Sequence, residues 1–110
     1  MASDYGYRLT QKAADDLDGI INYIALELAN PTAAMHFVDK LQDCIKEICL
    51  FPESGSAVMN EFLPNSDIRK AIVNNYLIYY LPDSEENVIT VLRIVYGRQN
   101  MDEILSELDI

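Results

Sequence analysis

The chain is short of positive charge. Its 110 residues hold eight lysines and arginines against eighteen aspartates and glutamates, a formal net charge of −10. Contacts to phosphate need clustered cations, so this balance argues against a general nucleic-acid binder. Cysteine is scarce too: only Cys44 and Cys49 occur. Five positions apart in a helical pattern, they point to different sides of the helix and read as small core or boundary residues, not as disulfide partners or metal ligands. Neither metal nor cofactor is expected, and a reducing cytoplasm is the expected location. No apolar run approaches the roughly 18–20 residues needed to cross a bilayer. The opening MASDYGYRLT lacks the basic-then-apolar pattern of a secretory signal. The one histidine, His36, shares a helix side with Lys40, Asp43 and Glu47 and reads as an exposed bystander rather than a catalytic base. With no repeat, low-complexity segment or linker in view, the expectation is one domain over residues 1–110.

What the chain does have is a β-rich stretch over residues 68–99, IRKAIV-NN-YLIYYL-PDSEEN-VITVLRIVYGRQ. Ile, Val, Tyr and Leu dominate three runs separated by turn formers, which predicts a three-stranded meander. Asn74-Asn75 fits a two-residue hairpin turn, and residues 82–87 a polar second one. That geometry sets Val73 opposite Tyr76, Ala71 opposite Ile78, Arg69 opposite Tyr80, Tyr80 opposite Ile89 and Tyr76 opposite Arg93. One face then carries Arg69, Ala71, Val73, Tyr76, Ile78, Tyr80, Ile89, Val91, Arg93 and Val95. The other carries Ile68, Lys70, Ile72, Leu77, Tyr79, Leu81, Val88, Thr90, Leu92, Ile94 and Tyr96. Neither face is polar, and a one-residue slip would exchange members between them.

Upstream, residues 5–9 read as a short first strand. Thr10 is a predicted N-cap, with Asp15-Asp16 in the early turns of a helix reaching about residue 29. Its apolar stripe is Ala13, Leu17, Ile20, Ile21, Ile24 and Leu28. Asn30-Pro31 marks a restart, Asn as cap and Pro at the first helical position. The second helix, about 31–50, carries Ala34, Phe37, Val38, Leu41, Ile45 and Ile48 on one stripe. So short a connection makes the pair an antiparallel hairpin. Residues 51–67 form a long loop with Met59, Phe62 and Leu63 as apolar anchors. Asn100 and Glu103 have capping-box spacing and start a terminal helix with Ile104, Leu105 and Leu108 on its apolar side. The expected fold is α+β, in the order β-α-α-β-β-β-α: a helical hairpin on one face of a small antiparallel sheet.

The succession of strand, helical hairpin, P-E-S-G loop, R-K-A-I-V, N-Y-L-I-Y-Y and V-L-R-I-V-Y-G-R resembles the RelE/ParE superfamily, the toxins of bacterial type II toxin–antitoxin and plasmid-stabilisation modules. The likeness spans residues 7–105, and 69–80 and 92–98 carry most of it. The resemblance implies a growth-inhibiting toxin wrapped and neutralised by a cognate antitoxin. RelE-like members cut messenger RNA on the ribosome, while characterised ParE-like members act on DNA gyrase. Nucleolytic relatives place an arginine directly after the aromatic that opens the third strand. Here Tyr76 is followed by Leu77. Glu61 and Asp67 stand near the end of the long loop, where nucleases supply basic residues or a carboxylate base. Only Lys70, Tyr96 and Arg98 remain as catalytic candidates, too few to stabilise a phosphorane.

The resemblance therefore points to the ParE-like branch: a protein that binds its target, gyrase being one possibility. The alternatives are a ribosome-dependent endoribonuclease and a catalytically degenerate antitoxin-binding module. If Leu77 marks the open sheet face, that face is greasy and, together with the helical hairpin, is expected to bind an antitoxin helix or strand. Leu77, Tyr79, Leu92 and Arg98 are then the expected partner contacts. Arg69 and Arg93 fall on the helix-covered face, either as internal anchors for helix carboxylates or as target contacts.

Overall fold

A computed structural model of the chain describes residues 5–58 and 67–97. The expected terminal helix, the loop anchors Met59, Phe62 and Leu63, Glu61 and Arg98 lie outside them. The chain enters through strand β1 (Gly6–Leu9) and turns at Thr10 into helix α1 (Gln11–Asn22). Thr10 Oγ1 accepts from the Ala13 amide at 3.1 Å and donates to Leu92 O at 2.9 Å, so the cap also pins the helix start to the sheet. Helix α2 (Pro31–Leu50) begins as its sequence predicts, Asn30 Oδ1 accepting from the Ala33 amide at 3.0 Å with Pro31 in the first turn. Ala34, Phe37, Leu41, Ile45 and Ile48 form its buried stripe.

Between the helices the chain departs from expectation. Helix α1 does not run on to residue 29; it passes into a π-helical segment, Tyr23–Glu27. The Leu28 amide donates to Tyr23 O at 3.0 Å, a five-residue span that widens the turn. The extra residue rotates Leu28 off the apolar stripe, and it is 55% exposed. Ala29 closes the turn at a φ of 48°.

The sheet has five strands, with β2 (Ser56–Ala57), β3 (Arg69–Val73), β4 (Tyr76–Asp83) and β5 (Val88–Tyr96) in the spatial order β1-β5-β4-β3-β2. It is mixed rather than wholly antiparallel, because β1 lies parallel to β5. Asn74, at a φ of 56°, makes the tight β3–β4 turn, and the expected register holds from Arg69↔Tyr80 to Val73↔Tyr76.

The β4–β5 register differs. Pro82 and Asp83 belong to the strand, so Tyr80 pairs with Val91 rather than Ile89. A β-bulge follows: Tyr79 pairs with Arg93, which leaves Leu92 as the extra residue and brings Tyr76 opposite Tyr96 rather than Arg93. An even slip preserves the faces of Ile89 and Val91, but the bulge reverses those beyond it. Ile94, not Val95, thus joins the core beneath the helices with Ile78, Tyr80, Phe37 and Ile45. Val95 joins Val58, Ile68, Tyr79 and Leu92 in a second cluster.

The P-E-S-G segment is bolted to the sheet by Tyr80 and Arg69, which are paired on the helix-covered face. Tyr80 Oη donates to Pro52 O at 3.1 Å and accepts from the Gly55 amide at 3.0 Å. Arg69 Nη1 donates to Gly55 O at 2.6 Å and Glu53 O at 3.2 Å. Arg69 is therefore an anchor for loop carbonyls, not for a helix carboxylate. A methyl group on Gly55 would lie 2.5 Å from Tyr80 Oη and 2.6 Å from Lys70 O. Gly55→Ala should therefore cost about 1–3 kcal/mol of stability, read as a lowered denaturant midpoint. An unchanged midpoint would mean that the loop is not held this way.

Candidate functional site

A carboxylate on α1 organises the end of the sheet where α1 and β5 meet. Asp16 Oδ2 accepts from Arg93 Nε at 2.7 Å, and Oδ1 from Arg93 Nη2 at 3.0 Å. The same Oδ2 accepts from the Ile94 amide at 3.0 Å. Bulges take backbone groups out of the ladder, and here the carboxylate receives one of them. Both partners are mostly shielded, with side-chain exposures of 17% and 18%. The pair is charge-assisted, two-pronged and partly buried.

Beside it opens a cleft of about 1090 Å³ between α1 and its π segment, the first half of α2, the Asn74-Asn75 turn and the ends of β4 and β5. Its floor is aromatic. Phe37 and Tyr76 meet edge to face with ring centres 5.1 Å apart, and Tyr76 meets Tyr96 at 5.6 Å. Burial raises the Tyr76 phenol above its usual range, and the nearby Tyr23 and Tyr96 phenols push the same way. Tyr79 is raised by burial, and so is Tyr80, although its Gly55 hydrogen bond and Arg69 oppose the shift. Around the hairpin turn Tyr23, Leu26, Leu28 and Met35 stand half or more exposed. Tyr23 and Leu28 line the cleft.

The catalytic candidates do not converge. Lys70 lines a different, smaller hollow with Glu47, Ser54 and Ser56, while Tyr96 borders the aromatic cleft. Lys70 sits opposite Tyr79 and Tyr96 opposite Tyr76. That separates them by three residues, roughly 10 Å along the strands, and by two strand spacings, about 10 Å across. Arg98 lies outside the described residues.

The expected partner face is not bare either. Tyr79 and Leu92 are 0% and 3% exposed inside the second cluster, with Leu77 and Leu81 partly buried against it. Of that face's larger apolar residues, Ile72 is exposed, at 72%. The helical hairpin is an expected partner surface, but neither its exposed tip residues nor the cleft is marked in the sequence. The π segment that turns Leu28 outward and the bulge that brings Tyr96 beside Tyr76 both break a regular period.

A family model described as the ParE toxin of the type II toxin–antitoxin system parDE matches residues 7–101. No curated protein sequence matches the chain. Among solved structures, a chain of the chromosomal ParDE system from P. aeruginosa superposes with a TM-score of 0.63 at 23% identity, over 84% of this chain and 96% of the other. A chain of the RelBE2 toxin–antitoxin complex from Mycobacterium tuberculosis follows at 0.58 and 19%, over 84% and 98%. One from the archaeal RelE–RelB complex of Pyrococcus horikoshii OT3 gives 0.54 and 13%, over 88% and 99%. Likeness at these identities shows a shared fold.

Two measurements check the geometry. Asp16→Ala or Arg93→Ala should lower stability by roughly 2–4 kcal/mol, since each strands a shielded charge. The double variant should cost less than the sum of the two. Additive losses would contradict a coupled pair. In alkali, Tyr76, Tyr79 and Tyr80 have folded pKa values raised above their unfolded ones. Their contribution is fully present below about pH 10, the unfolded value, and is lost as pH rises through the folded values. Ultraviolet titration should show three of the seven tyrosines ionising late, together with unfolding.

Proposed function

Because the chain belongs to the ParE toxin family of type II toxin–antitoxin systems, we propose that it arrests bacterial growth by binding a cytoplasmic target, DNA gyrase foremost, and is silenced by a cognate antitoxin. The family match over residues 7–101 carries this reading. Assembly with an antitoxin draws support from the folds it resembles, which come from ParDE and RelBE systems. No helix among the described residues is long and apolar enough to cross a membrane.

Binding rather than cutting fits the residues present. Leu77 stands where a phosphate-binding arginine is expected of a nuclease, and Lys70 and Tyr96 line separate hollows. Proton transfer needs groups within hydrogen-bond reach of one reacting centre. The negative net charge also opposes approach to ribosomal RNA. Antitoxin contact falls on the helical hairpin, where Leu26 and Met35 are 75% and 69% exposed. Large apolar side chains this open are suited to burial by a partner.

Expression alone should arrest growth, and co-expression with the product of the abutting gene should restore it and yield a stable complex. Leu26→Glu with Met35→Glu should leave the fold intact, being on the surface, and weaken the complex by about tenfold or more. Growth unaffected by the unpartnered chain would overturn the toxin reading. A complex indifferent to the two changes would move the antitoxin elsewhere.

A further inference from the structure

The aromatic cleft has a charge balance that narrows what can enter it. Arg93 is committed to Asp16, so the two cancel at its inner wall. Asp15, also on that wall and exposed, accepts a neutral hydrogen bond from Gln11 Nε2 at 2.9 Å, and the Arg93–Asp16 bridge is the ion pair found among the described residues. Among the described residues that line the cleft, the remaining charged group is therefore the Asp15 carboxylate, while Lys40 donates to Asn74 Oδ1 at 3.2 Å at the β3–β4 turn. Lining the same cleft are three phenol rings, Tyr23, Tyr76 and Tyr96, the first and last 50% and 40% exposed, with Phe37 packed edge to face on Tyr76. Aromatic faces attract cations through their quadrupole, guanidinium most often, and a carboxylate lining the same cleft adds a hydrogen-bonding counter-charge. An anionic ligand would meet the same field with the wrong sign, in a chain whose net charge is −10.

We propose that this cleft is a receptor for an arginine side chain presented by a protein partner, its guanidinium lying against Tyr23 and Tyr96 and hydrogen-bonding Asp15. This rests on the reading of the chain as a protein-binding toxin and adds to it the chemistry of what is bound. The cleft is continuous with the exposed hairpin tip through Tyr23 and Leu28, which belong to both. A partner segment with apolar residues for the tip and a basic residue for the cleft satisfies the two together. The apolar contacts would supply area and the guanidinium register, a division common at interfaces where aromatic and arginine anchors concentrate the affinity.

The probe is N-acetyl-arginine amide, titrated into the full chain while tyrosine ring resonances are followed by NMR. N-acetyl-citrulline amide, the same shape without the charge, serves as control. Arginine should shift the Tyr23, Tyr76 and Tyr96 rings with saturation in the millimolar range, and citrulline should bind about fivefold or more weaker. Asp15→Asn should weaken arginine about fivefold, whereas Asp43→Asn, an exposed acid not lining the cleft, should not. Equal binding of arginine and citrulline would overturn the proposal. So would equal effects of the two Asp substitutions, which would reduce it to diffuse attraction to an acidic surface. Neither titration involves an antitoxin or a growth assay, so failure here leaves the toxin reading standing, and failure of that reading leaves the receptor chemistry measurable.

Discussion

The carboxylate of Asp16 joins a helix to a defect in a strand, and much of the structure follows from that junction. The bulge at Leu92 puts Ile94 under the helices and Val95 on the opposite face. Without it, β5 would present Val95 to the helical hairpin and Ile94 to the second cluster. A bulge also releases backbone groups, and an unpaired amide in so shielded a place would cost roughly 1–3 kcal/mol. Asp16 removes that cost by accepting from the Ile94 amide, and Arg93 neutralises the charge that does so. Helix, bulge and arginine hold one another in register, with Thr10 repeating the tie at the start of the helix through Leu92 O.

Capping and turn chemistry were the parts most legible in the residues. Thr10, Asn30-Pro31 and Asn74-Asn75 each state a local backbone geometry, and each is found where it is expected. The apolar stripe of α2 was equally plain, because one face of a 20-residue helix repeats it many times over. What failed was every step that required counting across an irregularity. Neither the π turn after Asn22 nor the bulge in β5 has a residue signature. Pro82 read as a turn residue, yet it lies within a strand and pairs with Ile89. The parallel pairing of β1 is a long-range choice that a local pattern does not encode.

Those irregularities bear directly on function. Two apolar sheet faces under a single helical hairpin predict one face open for a partner, but Tyr79 and Leu92 are inside a cluster of the chain's own residues. Exposed apolar surface sits instead at the hairpin tip, where the π turn has rotated Leu28 outward, beside a cleft whose rings converge because the bulge set Tyr96 against Tyr76. Arg69 and Arg93, similar as sequence, diverge in place: one holds loop carbonyls and the other a helix carboxylate. Both are tied down within the chain.

The proposed function is that of a toxin that binds rather than cuts. The most direct measurement is a map of messenger-RNA 5′ ends before and after the chain is induced without its antitoxin. With Lys70 and Tyr96 apart and Leu77 in place of an arginine, the account predicts arrested growth with no new ends in translated messages, together with supercoiling defects if gyrase is the target. New ends at codons in the ribosomal A site would contradict it.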